Sequence, residues 1–245
     1  MDRKLAIDTL KEFCSFDIST SKEVMKKFEE LPGAIAHYDG GKNNFVYIPG
    51  TREDRVLLVS HADTVWDEQY NEQDYKQEIF ESYGALWGRC KDCGIGADDR
   101  AGCAILWLLR NSGHSLLITD GEEIGCVGSE YLRDNYPKLF DELNDHCYMM
   151  QFDRRECENY KVYRLPVSDE FIEFVERETG YYNSGKSSST DITRLCRDIC
   201  GVNLSIGYYN EHTPNEAIVL EEWLQVLNLA EKILKEKQKK YPLVK

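Results

Sequence analysis

Long hydrophobic runs are missing from this sequence of 245 residues. No stretch approaches the ~20 apolar residues that a membrane-spanning helix needs. Residues 1–16 mix charged and apolar side chains, whereas a secretory signal has a continuous apolar core. These absences make the cytoplasm the expected compartment and exclude a membrane protein from the expected classes.

Positive charge is also scarce. Lysine and arginine together number 30 against 44 aspartates and glutamates, which gives a formal net charge of -14. Proteins that bind nucleic acid or anionic membrane surfaces usually carry a basic patch. We therefore expect neither nucleic acid nor a membrane as a partner.

The 9 cysteines follow no disulfide-framework spacing, and their number is odd. In a chain without a signal, reduced thiols are the expected state. Cys90 and Cys93 have the C-x-x-C spacing of a zinc knuckle or a redox pair, but no second C-x-x-C accompanies them. A structural zinc ion or a disulfide at this pair remains the alternative. No linker or internal repeat divides the chain, which predicts a single catalytic domain over residues 1–245.

Short apolar runs alternate with helical patterns along the chain. Buried strands are predicted at residues 55–60, 115–119, 147–152 and 202–206, and a hairpin at 34–38 and 44–48. Helices are predicted at residues 3–15, 21–31, 100–110, 169–178, 191–200 and 221–239. Residues 66–88 read as a long excursion or a hairpin. This alternation predicts an α/β fold with a mostly parallel or mixed central sheet and helices on both faces.

Polar clusters follow several of the predicted strands. In such sheets the ligand site forms outside the carboxyl ends of the strands. The clustered residues are His61, Asp63, Asp98, Asp99, Glu122, Glu123, Asp153 and His212. Two imidazoles and several carboxylates suit Zn²⁺, with Co²⁺ and Mn²⁺ as alternatives. A bridging carboxylate can hold two such ions ~3.5–4 Å apart, and the second glutamate of an adjacent pair can then act as a base.

Six segments carry a resemblance to a known superfamily. They are SHADTV (60–65), GADDRAG (96–102), TDGEEIG (119–125), QFDRR (151–155), SSTDIT (188–193) and GYYNEHTPNEAI (207–218). In this order they resemble the co-catalytic zinc metallopeptidases of the M20, M28 and M42 groups, which include peptidase T and the zinc aminopeptidases. The resemblance implies the zinc-peptidase, phosphorylase/hydrolase-like fold and two divalent metal ions.

The resemblance also implies a role for each matching residue. Asp98 would bridge the two ions. His61 and Asp153 would complete one site, and Glu123 and His212 the other. Glu122 would be the general base, and Asp63 would orient the ring of His61. A cis peptide bond between Asp98 and Asp99 is implied as well.

One departure from part of the superfamily concerns the lid. M20 enzymes carry an inserted domain between the ligands that match Asp153 and His212, but only residues 154–211 lie between them here. Residues 169–206 already read as core helices and a strand. We therefore predict the lidless architecture of the M28 peptidases.

Three functions are compatible with this constellation. The leading hypothesis is an exopeptidase that acts on peptides, of the aminopeptidase or dipeptidase-like kind. The second is an N-acyl deacylase or another amidohydrolase that acts on a small non-peptide amide with the same core. The third is a catalytically inactive metal-binding protein, against which an intact Glu122 and a full ligand set argue.

Overall fold

A computed structural model of the chain describes residues 1–67 and 78–244. These residues form eight helices: α1 (Arg3–Ser15), α2 (Lys22–Glu29), α3 (Ala97–Leu109), α4 (Val127–Asn135), α5 (Pro137–Leu143), α6 (Asp169–Thr179), α7 (Asp191–Leu195) and α8 (Leu220–Lys235). They also form twelve strands: β1 (Ile35–His37), β2 (Phe45–Ile48), β3 (Leu57–His61), β4 (Ile79–Ser82), β5 (Ala85–Gly88), β6 (Ser115–Thr119), β7 (Met149–Arg154), β8 (Asn159–Lys161), β9 (Tyr182–Asn183), β10 (Gly201–Ser205), β11 (Tyr208–Tyr209) and β12 (Ala217–Val219).

The central sheet has eight strands in the order β1-β2-β6-β3-β7-β10-β8-β9. Its middle strands β6, β3, β7 and β10 run parallel to one another. These four correspond to the buried runs that the sequence predicts. Toward the edges, β2 pairs antiparallel with β6, and β8 pairs antiparallel with β10. The sheet is therefore mixed with a parallel core, as expected.

Helices cover both faces of this sheet because successive side chains of a strand point to opposite sides. Leu58 and Met150 pack with α1, α3 and α8 in the larger apolar cluster. Their neighbours Val59 and Met149 pack with α4, α5 and α7 in a second cluster. The prediction of helices on both faces is confirmed.

The N-terminal helices follow the apolar spacing of the sequence. The Asp2 side chain caps α1 by accepting a hydrogen bond from the backbone N–H of Leu5 at 2.8 Å. The buried side chains of α1 include Leu10 and Phe13, and those of α2 include Phe28. After α2, β1 and β2 pair antiparallel and confirm the predicted hairpin.

A second sheet of four strands, in the order β11-β12-β5-β4, was not predicted. Strands β4 and β5 form an antiparallel hairpin, which agrees with one interpretation of residues 66–88. Residues 68–77 of that segment lie outside the described part of the chain. Strand β12 pairs antiparallel with β5 and places Ala217 opposite Trp87. These strands are short, and they come from parts of the chain that are far apart in sequence. Neither feature leaves a local pattern from which the sheet could be predicted.

The predicted helix at residues 191–200 is wrong in its second half, because α7 ends at Leu195. The buried side chain of Asn144 donates a hydrogen bond to the Leu195 carbonyl at 3.1 Å. Its amide oxygen accepts from the backbone N–H groups of Arg197 and Asp198 at 2.9 and 3.0 Å. This tertiary contact takes over the backbone groups that a longer helix would use. Helices α4 and α5 were also not predicted.

Residues 154–211 are all described. They form β8, α6, β9, α7, β10 and β11 with their connections, so no lid domain is inserted between Asp153 and His212. In residues 1–67 and 78–244, no helix has both the length and the apolar character needed to cross a membrane.

Candidate metal centre

The carboxyl ends of the parallel strands bring the predicted ligands to one edge of the central sheet. His61 is the last residue of β3, and Asp153 lies near the end of β7. Glu123 lies in the turn that follows β6, and His212 lies in the loop between β11 and β12. Asp98 enters from the start of α3, where the peptide bond between Asp98 and Asp99 is cis, as the resemblance implied.

The two oxygens of the Asp98 carboxylate face two different imidazoles. Oδ1 lies 3.3 Å from Nε2 of His61, and Oδ2 lies 3.2 Å from Nε2 of His212. A carboxylate in this position can offer one oxygen to each of two cations. The geometry therefore puts the Asp98 carboxylate between the two imidazoles.

One further carboxylate accompanies each histidine. Oδ1 of Asp153 lies 3.5 Å from Nε2 of His61, and Oε1 of Glu123 lies 3.0 Å from Nε2 of His212. Asp98, Glu123 and His212 form one group whose ligand atoms all lie within 4.8 Å of one another. The predicted residues thus divide into two sets that share Asp98.

Asp99 also lies within ligand distance of His61 and Asp153, but its oxygens are engaged elsewhere. They accept hydrogen bonds from the Ser60 hydroxyl, from the backbone N–H of His61 at 3.2 Å and from that of Gly102 at 3.0 Å. Asp99 therefore anchors the start of α3 to β3 rather than facing the ligand space.

The residues present fit divalent cations. Among the described residues, Oδ1 of Asp98 and Oε1 of Glu123 are buried oxygens for which no hydrogen-bond donor exists. Buried acceptors nearly always accept a hydrogen bond, so two carboxylate oxygens that accept none and face imidazoles fit a cation held between oxygen and nitrogen. Imidazole nitrogens and carboxylate oxygens are also the donor set that Zn²⁺, Co²⁺ and Mn²⁺ accept.

Asp63 connects the histidine to the glutamate pair. Its Oδ1 lies 3.3 Å from Nδ1 of His61, on the side of the ring opposite to Asp98. Its two oxygens accept hydrogen bonds from the backbone N–H groups of Glu122 at 3.2 Å and Glu123 at 3.1 Å. Asp63 therefore lies where it can orient the His61 ring and also hold the turn that carries Glu122 and Glu123.

Glu122 lines the same cavity as Asp98, Glu123 and Asp153, yet it belongs to neither group of ligand atoms. Burial raises the pKa of the Glu122 carboxyl well above its ordinary value. His61 opposes this shift, and the charge of Asp153 adds to it. Cations bound at the neighbouring carboxylates would lower that pKa again. Glu122 is therefore a titratable group beside the candidate ligands that is not itself one of them.

The imidazole of His61 is almost completely buried. Burial by itself lowers its pKa, but the neighbouring carboxylates of Asp153, Asp63 and Asp98 outweigh that effect, and the pKa is raised well above the ordinary value. The ring is thus surrounded by carboxylates that favour positive charge at its nitrogens. A metal cation bound at Nε2 would interact favourably with the same carboxylates.

Glu216 is a functional candidate that sequence reasoning missed. Its carboxylate is 2% exposed and accepts hydrogen bonds from the backbone N–H of Gly96 at 2.8 Å and from that of Asp98 at 3.0 Å. It lies in the last motif, four residues after His212, but no local pattern shows what it contacts. Glu216 therefore holds the backbone at Asp98 in place.

A basic wall beside the metal centre was also missed. Arg154, Arg155 and Lys161 line a cavity of about 330 Å³, which four of the five predicted ligands also line: Asp98, Glu123, Asp153 and His212. The only sequence signal is the Arg154-Arg155 pair that follows Asp153 in the motif QFDRR. The cavity lining thus combines acidic residues with these three basic residues, which we call the basic side.

Cys90 and Cys93 do not join this centre. Cys93 is buried with Ile18 and Trp66 in a small apolar cluster, against which Cys90 packs. In the described ranges 1–67 and 78–244, the groups of side chains able to hold a metal ion do not include either cysteine. The packing agrees with two thiols in an apolar setting.

Comparison with known proteins bears on the fold. No protein-family model and no curated protein matches the sequence. Solved structures do match: the aminopeptidase PepT of Bacillus cereus has a TM-score of 0.69 at 16% identity and covers 96% of this chain and 98% of its own. A tripeptidase of Staphylococcus aureus has a TM-score of 0.65 at 14% identity, with 96% and 98% covered. An aminopeptidase of the archaeon Desulfurococcus kamchatkensis has a TM-score of 0.64 at 12% identity, with 96% of each chain covered.

Identities this low establish similarity of fold. That similarity spans nearly the whole chain. The chain has the fold of solved aminopeptidases.

Proposed function

We propose that this protein is a two-metal hydrolase of amide bonds, an exopeptidase that removes residues from the amino end of short peptides. The observation that carries the proposal is the position of Asp98 between two histidines, one at each carboxylate oxygen. Asp153 and Glu123 complement the two sides. Solved proteins of this fold are described as aminopeptidases and a tripeptidase, which supports a peptide as the substrate.

The protein side of the mechanism follows from the position of each residue. His61 and Asp153 would hold one ion, Glu123 and His212 the other, and Asp98 both. Bound divalent ions supply Lewis acidity to the scissile carbonyl and to the attacking water. Glu122 accepts a proton from that water as its oxygen bonds to the carbonyl carbon. Glu122 then donates the proton to the amine nitrogen as the carbon–nitrogen bond breaks.

Asp63 serves this mechanism without touching the substrate. It holds the His61 ring from the side opposite to Asp98 and accepts hydrogen bonds from the backbone of both glutamates. The ligand and the base are thereby positioned by one buried carboxylate. Such support commonly changes metal affinity or activity by ~10–100-fold when it is removed.

Substrate preference separates the proposal from its alternatives. An N-acyl deacylase uses the same core but cleaves N-acyl amino acids, in which the acyl group has no free amine. An aminopeptidase substrate has a free α-amine on the residue that is released. An inactive metal-binding protein binds the ions and cleaves nothing. The Glu122 carboxyl, which lines the cavity without belonging to a ligand group, favours the enzymes over the inactive protein.

The test is reconstitution followed by a substrate panel. Protein stripped with a chelator is reloaded with Zn²⁺, Co²⁺ or Mn²⁺, and metal content is measured alongside hydrolysis of aminoacyl p-nitroanilides, di- and tripeptides and N-acetyl amino acids. We expect metal-dependent cleavage of substrates with a free amino end. Cleavage confined to the N-acetyl compounds would establish the deacylase instead. Metal binding with no cleavage of any amide would refute both enzymatic functions.

A further inference from the structure

We propose that Lys161 and Arg154, on the basic side of the cavity, bind a carboxylate group of the substrate and make this site selective for anionic peptides. The proposal deepens the peptidase function and rests on it. The recognised chemistry is a carboxylate held beside the scissile amide. It can come from an acidic side chain or from the terminal carboxylate of a short peptide.

Lys161 is a buried cation with neutral partners. The residue is 8% exposed and belongs to β8. Its Nζ donates to the Ser187 carbonyl at 3.2 Å and lies 3.4 Å from the hydroxyl oxygens of Ser187 and Ser188. No carboxylate of residues 1–67 or 78–244 pairs with it, although the chain has 44 acidic residues. A buried ammonium normally has an anionic partner, so this one is prepared for a ligand.

Arg154 repeats the pattern. Its Nε and one terminal nitrogen donate to Oδ1 of Asn159 at 2.9 and 2.7 Å, and the same terminal nitrogen donates to the Ser184 hydroxyl at 3.0 Å. These contacts orient the guanidinium but leave its charge uncompensated by any carboxylate of the described chain. Arg155 differs, because it forms an ion pair with Glu211 at 3.0 Å.

The electrostatic surroundings of Lys161 agree with an ammonium group that lacks an anionic partner. Burial lowers the pKa of its ammonium, and the neighbouring charges of Arg154 and Arg155 lower it further. An anion bound among these cations would reverse that direction, since an opposite charge favours the charged form of the lysine. The cavity therefore has a positive field on this side.

Asp98, Glu122 and Glu123 line the same cavity as these cations. A substrate can place its scissile amide at the metal centre and its carboxylate on Lys161 and Arg154. Ser188 and Ser189 also line this cavity, and the Ser188 hydroxyl is already engaged, because it donates to the Ser187 carbonyl. A cavity of about 330 Å³ lies at the small end of ligand sites, which favours a short peptide.

Selectivity is measured first on the unaltered, zinc-loaded protein with matched pairs. The glutamyl p-nitroanilide is compared with the glutaminyl one, and trialanine with trialanine amide. Hydrogen bonds to charged groups contribute enough that kcat/KM should be about 10- to 100-fold higher for the carboxylate member of one pair. The pair that shows the difference identifies the source of the carboxylate. Equal kcat/KM within both pairs would overturn the proposal.

Variants then assign the preference to Lys161. Lys161→Met retains the length of the side chain and removes its charge, and it should lose most of the preference through KM. Lys138→Met is the matched control, because Lys138 is exposed on α5, and it should retain the preference. A folded Lys161→Met protein with the full preference would contradict the assignment.

Binding distinguishes this proposal from the proposed function. If no amide is cleaved, calorimetry on the zinc-loaded protein compares L-glutamate with L-glutamine and trialanine with its amide. Tighter binding of a carboxylate member, weakened in Lys161→Met, supports the basic subsite even when peptidase activity is refuted. Equal affinities within both pairs would refute the subsite independently of turnover.

Discussion

The carboxylate of Glu216 accepts a hydrogen bond from the backbone N–H of Asp98 at 3.0 Å, although 118 residues separate the two. Its other oxygen accepts from the backbone N–H of Gly96 at 2.8 Å. Glu216 therefore holds in place the backbone of residues 96–98, which carries the proposed bridging carboxylate of Asp98. A side chain in the motif of His212 thus positions a ligand in the motif of Asp98.

Glu216→Gln should weaken metal binding. The glutamine side chain has one oxygen and one NH₂, so it can accept a hydrogen bond from only one of the two backbone N–H groups, those of Gly96 and Asp98. The other hydrogen bond is lost, and the Asp98 segment can shift. Loss of an outer partner of a ligand typically costs ~10–100-fold in metal affinity. Competition with a chromogenic chelator measures the change. Glu221→Gln is the matched control on α8, where Glu221 pairs with Arg3 at the surface, and it should bind zinc normally. Unchanged affinity in Glu216→Gln would contradict a positioning role.

Glu122→Gln and Glu123→Gln should fail in different ways. Glu122→Gln retains the size of the base and removes its ability to accept a proton, so turnover should fall by ~10²–10⁴-fold while metal content stays normal. Glu123→Gln should lose one ion first and activity as a consequence, because Glu123 faces His212 at 3.0 Å. Metal stoichiometry and kcat are measured on both. Parental turnover in Glu122→Gln would exclude Glu122 as the base.

His61→Ala and His212→Ala should each lose a different ion. His61 faces Asp98 and Asp153, whereas His212 faces Asp98 and Glu123. Each variant should retain one bound zinc ion, and Asp98 should remain a ligand in both. Metal analysis after dialysis against zinc gives the stoichiometry. His37→Ala is a histidine control outside both groups of ligand atoms and should bind the parental amount. Loss of both ions in either site variant would indicate that the two ions bind as one unit.

His146 should make the fold sensitive to mild acid. Its ring is 1% exposed, and its Nδ1 lies 3.0 Å from the carbonyl oxygens of Glu142 and Leu143. Burial, reinforced by the charge of Arg55, lowers its pKa to about 4. The unfolded chain has an ordinary histidine pKa of ~6.5, so between these values the unfolded state binds a proton that the folded state does not. Stability is complete above that ordinary value and is lost as the pH falls toward the folded one.

Urea unfolding at two pH values measures this effect. From pH 7 to about pH 5 the linkage of His146 should remove about 2 kcal/mol of the free energy of unfolding. His146→Gln removes the titrating group. Its baseline stability is expected to be lower, but its loss of stability over the same pH interval should be smaller by about that amount. Equal pH dependence in the two proteins would show that His146 does not carry the shift.

The sequence anticipates the local features of this protein well. Amphipathic spacing predicts α1 and α6 nearly to the residue, and the apolar run at 115–119 coincides with β6. The polar residues after these strands predict which side chains meet at the sheet edge. They do so because parallel strands bring their carboxyl ends to the same place. Periodicity and strand order are sufficient for that inference.

Contacts between distant segments are where the tertiary structure decides. Asn144 ends α7 at Leu195, and Glu216 holds the backbone of Asp98, yet neither contact has a local sequence pattern. The four-stranded sheet and the basic side of the cavity also bring together segments that are far apart in the chain. The sequence by itself determines helices such as α1 and α6, the parallel strands and the chemical types of the candidate ligands, because these depend on spacing and side-chain type. Only the folded structure determines which oxygen faces which imidazole and which cations lack a carboxylate partner, because distance and burial are properties of the packed chain.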